Sequence, residues 1–377
     1  MKIEISAPGK TVLHGEHAVV YGKAAVAVSI SLRTYLILDS HDEDKVLLTL
    51  KNLNVQKEWD LNDLNNFSHF NAGGDIMQAD EESIKHITDA FELNSSTTEN
   101  ESEKLAIITF LFLCIHISKC YNAGSFAPCV VHVDSELTVG SGMGSSASFS
   151  VCLATALLIS CGRITPRLLP EDKELINKWA FQAEKIFHGK PSGIDNSICT
   201  YGGALLFENG LVADTLPEMQ NINVLLVNTR VSRNTKALVA AVKQKKEVFP
   251  SIIDPVFESI NAISKQCWNL LKNTISAVNE EEMAVLENLI NMNHHLLNSL
   301  GAGHPKLNHI HDIAESYHCA SKLTGAGGGG SAIILLPIKN TEEKSSIIDS
   351  LKKDLQNCDF DIWDIFAGTP GVQVKFQ

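Results

Sequence analysis

Apolar positions along the chain fall into runs of two lengths. Short runs rich in β-branched residues, at 3–6, 25–38, 130–133, 224–227, 331–336 and 371–376, predict strands. Longer apolar runs, at 105–118 and from 145 to 159 where Gly162 stops it, predict buried helices. Over 171–188 the pattern is amphipathic, with Leu175, Ile176, Trp179, Ala180, Ala183, Ile186 and Phe187 on one face. Helical patterns dominate from the strand at 224–227 to Leu300, and a further helix is expected over 310–323, ended by a glycine run. The polar, acidic stretch 75–103, which contains Asn94-Ser95-Ser96-Thr97-Thr98, reads as a surface insertion or loop. This alternation predicts an α+β or α/β protein in two halves that meet near residue 222, hence domains over 1–222 and 223–377.

Composition narrows the class. A length of 377 residues suits about two domains, and 44% hydrophobic with 20% charged residues is a globular composition. The net charge of −13 disfavours nucleic acid and anionic membranes as partners, while leaving room for a local phosphate pocket. The nine cysteines are odd in number, form no C-x-x-C pair and sit partly in apolar runs, which predicts reduced thiols in the cytoplasm. Met1-Lys2-Ile3-Glu4 leads into no long apolar segment, so no signal peptide is expected. The run 105–117 contains His116 and is too short to span a bilayer. The sequons at Asn66, Asn94 and Asn100 therefore carry no weight.

Four segments could present backbone N–H groups to phosphate. Gly9-Lys10-Thr11 lacks the glycine a Walker A loop needs five residues earlier, where Glu4 stands, and Gly22-Lys23 is followed by Ala24. Gly325-Ala326-Gly327-Gly328-Gly329-Gly330 matches G-x-G-x-x-G formally. A helix is expected before it and a strand after, the reverse of the dinucleotide order. So many glycines exceed a helix cap and imply close approach to a ligand or to another loop. Gly140-Ser141-Gly142-Met143-Gly144-Ser145-Ser146-Ala147 fits best, since it leads from an extended segment into an apolar helix whose N-terminus favours anions. Ser145 and Ser146 could also cap that helix, but a cap leaves the alternate glycines unexplained.

These segments resemble a known family. Ser6-Ala7-Pro8-Gly9-Lys10 with Leu13-His14-Gly15-Glu16-His17-Ala18-Val19-Val20 resembles the first motif of the GHMP small-molecule kinases. The 140–147 loop resembles their second motif, with Thr138-Val139 and Met143 where proline and leucine are usual. Lys322-Leu323-Thr324 with the glycine run resembles the third. The segments 175–182, 188–196 (His188-Gly189-Lys190-Pro191-Ser192-Gly193-Ile194-Asp195-Asn196) and 233–239 resemble those of members that act on mevalonate.

The resemblance implies two α+β domains, the first like ribosomal protein S5 and the second ferredoxin-like. It implies an ATP- and Mg²⁺-dependent kinase, and it assigns roles by position. Asp195 would take the substrate hydroxyl proton, although from sequence alone it could be a helix N-cap. Lys10, otherwise a surface lysine after a strand and a Pro-Gly turn, would stand beside that aspartate and the transferred phosphoryl group. Glu184 and Ser146 would hold Mg²⁺, Glu184 being placed where a helix C-terminus disfavours a carboxylate. Glu16, His17 and Thr235 match mevalonate-contacting positions, though His17 alone reads equally as a core histidine. Asn52, Ser135 and Gly140, Ser141, Gly142, Met143, Gly144, Ser145 and Ser146 match nucleotide-contacting ones. A homodimer and inhibition by prenyl diphosphates are also implied. His294-His295 and His309-x-His311 share no ligand spacing with a cysteine or carboxylate and read as surface or helix-packing residues. The rivals are another GHMP kinase, such as one for phosphomevalonate, galactose or homoserine, and a regulator of this fold without catalysis. The latter predicts loss of Lys10, Glu184 or Asp195, and all three are present.

Overall fold

A computed structural model describes residues 2–67, 78–93, 101–122, 125–274, 279–337 and 342–376. Parts of the 75–103 stretch, including Asn94 and Asn100, lie outside the described residues. The chain forms two compact units, one of residues 1–9, 32–201 and 371–377, the other of 10–31 and 202–370. The chain therefore passes between units four times, not once at 222/223. Strands β1 (Lys2–His14) and β2 (Ala25–Ser40) each give residues to both units, and the hairpin over 204–216 pairs with β2 and joins the second unit with it. Pro8-Gly9-Lys10 lies inside β1, so no turn precedes Lys10.

In the first unit β2 is followed by β3 (Lys45–Leu50), β4 (Val55–Asp60), α1 (Leu61–Asn65), α2 (Glu81–Ala90), α3 (Glu101–Tyr121) and β5 (Cys129–Ser135). The strand order is β4-β3-β5-β2. The β3–β5 pair is parallel, with Val46 opposite Cys129, as the long helical connection between them allows. Part of the expected surface insertion is thus the helix α2, which Asp80 caps by accepting from Ser83 N at 2.7 Å. Helix α3 outruns the apolar run read from sequence. At 21 residues, with an 18-residue window of mean hydropathy 1.6, it is long and apolar enough to cross a bilayer, but 72% of that window is buried inside the protein.

The next helices, α4 (Ser145–Ser160), α5 (Pro170–His188) and α6 (Ile194–Tyr201), pack on one another, and α3 packs on α4 and α5. Every α4 residue from Ala147 to Ile159 is buried, which explains why its sequence shows no polar face. Ser148 Oγ ties α4 to β1 by donating to Ala7 O at 2.7 Å.

The second unit holds β6 (Ala204–Glu208), β7 (Leu211–Leu216), β8 (Ile222–Asn228), α7 (Thr235–Val248), α8 (Pro250–Asn273), α9 (Glu280–Leu300), α10 (Pro305–Ser316), β9 (Ser321–Leu323), β10 (Ser331–Leu335), α11 (Glu342–Asn357) and β11 (Asp361–Ala367). Its antiparallel order is β11-β8-β10-β9, and Leu225, Val227, Phe257, Ile260, Leu297, Leu300, Ile310 and Ile334 share one core. The expected helix over 310–323 ends at Ser316. His318 then takes a left-handed φ of 57°, and three fully buried residues form β9. The glycine run is therefore the loop of the β9–β10 hairpin, with a strand before it rather than a helix. Strand β12 (Gln373–Phe376) returns to the first unit and pairs with β1, Ile3 opposite Phe376.

Candidate functional site

The 140–147 loop has the geometry its glycines allow. Gly140, Gly142 and Gly144 take φ of 76°, 78° and 77°, so left-handed residues alternate with others. Such alternation turns successive N–H groups to one side and forms an anion-binding concavity. A Cβ at Gly140 would meet nothing within 4 Å, so that side of the loop is not filled by protein. Met143 is buried and anchors the loop, and Ser141 Oγ donates to Thr138 O at 2.6 Å. Gly144 is the N-cap of α4, and no side chain caps the helix. The expectation that Ser145 or Ser146 caps α4 is thus not met, because both are already helical.

Ser146 turns sideways instead. Its Oγ lies 3.4 Å from Glu184 Oε2 and 3.2 Å from His188 Nε2. Glu184 has a side chain only 2% exposed, and His188, one helical turn on, approaches it to 3.6 Å. Two oxygens bound side by side on an octahedral Mg²⁺ at about 2.1 Å stand roughly 3.0 Å apart. Hard donors already at 3.4 Å fit such an ion with little movement. Sequence reasoning gave His188 no part here, although its i,i+4 spacing from Glu184 was visible.

Asn52 and Ser135 are brought together as a reciprocal pair. Asn52 Nδ2 donates to Ser135 O at 2.8 Å, and Ser135 N donates to Asn52 Oδ1 at 2.7 Å. Asp195 is the second residue of α6, after the turn at Gly193, so it is not the helix cap. A carboxylate in that first turn is favoured by the helix dipole. Lys10 is a half-buried residue of β1.

The second unit gathers the other expected residues. Glu16 is buried and its carboxylate is spent internally, paired with the fully buried Lys322 and accepting from Asn293 Nδ2 at 3.1 Å. Lys322 also donates to Leu323 O at 2.7 Å. Burial pushes the Glu16 carboxyl up and the Lys322 ammonium down, and their mutual attraction opposes both shifts. From sequence Lys322 was only a member of the third motif, with no role assigned, and Asn293 was not singled out. His17 takes φ 60°, ψ −46°, a strained backbone for a non-glycine residue, and its Nε2 lies 2.8 Å from Ala326 O in the glycine loop. Arg233 lies against Gly325 and Gly330 of the same loop. Two residues on, Thr235 opens α7 as an exposed residue, behind the cap Asn234, whose Oδ1 accepts from Ala237 N at 3.0 Å.

Close approach to other loops, one of the two readings of the glycine run, is what this hairpin shows. A Cβ on Gly327 would stand 1.9 Å from Ala302 O, where Gly328 N bonds at 2.8 Å. Of the paired histidines, His294 and His311 are buried and stack with ring centroids 4.1 Å apart, while His295 and His309 are exposed.

The family model described as GHMP kinases N terminal domain matches residues 109–203, and that described as GHMP kinases C terminal matches 274–357. The chain is 41% identical to the mevalonate kinase of Bos taurus and 42% identical to that of Homo sapiens, each over 98% of this chain and 94% of the relative. The crystal structure of the Methanococcus jannaschii mevalonate kinase superposes with a TM-score of 0.71 at 26% identity, over 96% of this chain and 97% of that one. By this relatedness along its whole length, the chain belongs to the GHMP kinases and, within them, to the mevalonate kinase family.

Proposed function

We propose that this chain transfers the terminal phosphoryl group of ATP to the primary hydroxyl of (R)-mevalonate, giving 5-phosphomevalonate and ADP. The observation that carries phosphoryl transfer is the Ser146–Glu184 oxygen pair at the start of α4, directly after the loop of alternating left-handed glycines. The relatives' names supply the acceptor. Bound ATP and Mg²⁺ supply, respectively, the phosphoryl group and the charge that offsets it. The backbone of 140–146 cradles phosphate oxygens, with Asn52 and Ser135 on the nucleotide's side. Ser146 and Glu184 hold the metal, a hard-oxygen set suited to Mg²⁺.

Asp195 accepts the hydroxyl proton as the alcohol oxygen forms its bond to phosphorus. Lys10 offsets negative charge that develops there. His17 and Thr235 face the acceptor, and Glu16 acts at one remove, since its carboxylate points inward. A coupled ADP-release assay over mevalonate, phosphomevalonate, galactose and homoserine tests the reading. Mevalonate should exceed every other acceptor by at least about tenfold in kcat/KM, roughly 1.4 kcal/mol of discrimination. Comparable turnover of galactose or homoserine would overturn the substrate and leave the family standing.

On the same terms we place the enzyme in the cytoplasm, which its nine free thiols support. The family resemblance alone supports a homodimer and competition between prenyl diphosphates and ATP. Sedimentation and inhibition kinetics check these two points.

A further inference from the structure

We propose that Lys322, with Asn293, is a positioning residue for acceptor binding. It clamps Glu16, and through Glu16 it fixes the turn that carries His17 against the β9–β10 hairpin. This deepens the reading above and rests on it.

The argument starts from cost. An ion pair with side chains 0% and 1% exposed stabilises a fold poorly, because desolvation cancels most of the attraction. Around this pair, both ring nitrogens of His14, Oδ1 of Asn293 and Nδ1 of His294 are buried with no hydrogen-bond partner among the described residues. A cluster tuned for stability would satisfy them or replace them with apolar groups. The best-attested use of a buried polar pair is to specify one arrangement, and here the arrangement is visible.

Four contacts join the 11–17 segment to 322–326. Thr11 Oγ1 meets Thr324 Oγ1 at 2.9 Å, and Thr324 Oγ1 also lies 2.9 Å from Val12 O. Glu16 meets Lys322, and His17 Nε2 meets Ala326 O at 2.8 Å. The charged contact is the one adjacent in sequence to the strained His17. It joins residues 306 apart in the chain, so the turn, closed locally by Ala18 N donating to Glu16 O and Val19 N donating to Gly15 O, is tied by this pair to a distant strand.

A double-mutant cycle tests this, using Glu16→Gln, Lys322→Met and the pair together. It is run on whichever acceptor the unaltered enzyme turns over, so a wrong substrate assignment shows in that enzyme and not in the variants. Each single variant should lower Tm by leaving one buried partner unpaired, and the double variant should recover most of that loss. The double variant should still bind acceptor at least tenfold more weakly, by KM and by calorimetry without nucleotide, with KM for ATP changed less than threefold. Recovery of both Tm and acceptor affinity in the double variant would make the pair merely structural and overturn the proposal. So would an equal rise in both KM values. Should the charge variants not fold, Asn293→Ser removes only the second bond to Glu16. It should raise acceptor KM about threefold and leave ATP KM unchanged, and an unchanged acceptor KM overturns the proposal.

Discussion

Ser146 Oγ lies 3.4 Å from Glu184 Oε2, on a carboxylate that α5 buries almost completely although the C-terminal turn of a helix repels negative charge. His188 Nε2 stands 3.6 Å from that carboxylate and carries charge only when protonated. Glu184→Gln keeps the volume and removes the charge. The variant should need several-fold more Mg²⁺ for half-maximal rate and turn over more slowly, with its thermal transition retained. An unchanged Mg²⁺ titration would remove Glu184 from the metal site.

Asp195 sits in the first turn of α6 and does not cap it, so Asp195→Asn should leave the helix in place while removing the proton acceptor. General base catalysis is worth about 10²–10⁴-fold, and kcat should fall by at least the lower figure with ATP binding intact. Lys10→Met should also lower kcat. The double variant should lose less than the product of the two factors, because groups that act as a unit are not additive. Near-normal turnover of Asp195→Asn in a folded protein would overturn the assigned base.

The sequence disclosed those parts of the molecule whose information is local. The apolar run of α4 announced a buried helix, and alternate glycines marked the loop before it, where residues 140, 142 and 144 are left-handed. Pairing between distant segments was not legible. The three residues of β9 are too few to show a period, so they were merged with α10. Lys322 stood in the third motif without a role of its own, because its partner Glu16 lies 306 residues away. The unit boundaries were hidden for a similar reason. They follow which half of β1 and β2 each neighbouring strand pairs with, and no composition shift marks that.

Buried histidines give stability a pH dependence of definite sign. His294, packed on His311, is pushed down to about 3 by burial and then by the neighbouring His311, and His116 in α3 is pushed down to about 4 by burial and then by Lys119. Unfolded, both return to an ordinary value near 6.5 and take up protons that the folded chain does not. Their contribution is therefore whole above about pH 6.5 and is lost as pH falls towards 4, at no more than about 1.4 kcal/mol per pH unit for each. Denaturant unfolding of His294→Gln should show a flatter decline with acid than the unaltered protein. An identical slope would contradict the shift assigned to His294.

The two glycine loops should answer the same substitution in opposite ways. At Gly327 a Cβ would stand 1.9 Å from Ala302 O, a backbone atom, and φ is 76°. Gly327→Ala must push the hairpin off the 301–303 turn and break the Gly328–Ala302 hydrogen bond, so loss of several kcal/mol or failure to fold is expected. At Gly140 φ is also 76°, yet a Cβ meets nothing within 4 Å. Gly140→Ala then carries only the left-handed strain of about 1–2 kcal/mol, and the protein should fold. The new methyl stands in open space on the loop proposed to cradle phosphate. KM for ATP should rise at least about fivefold in Gly140→Ala while KM for the acceptor stays within about twofold. Equal destabilisation by the two substitutions, or an ATP KM unmoved at position 140, would show that the concave face of the 140–147 loop is not turned to phosphate.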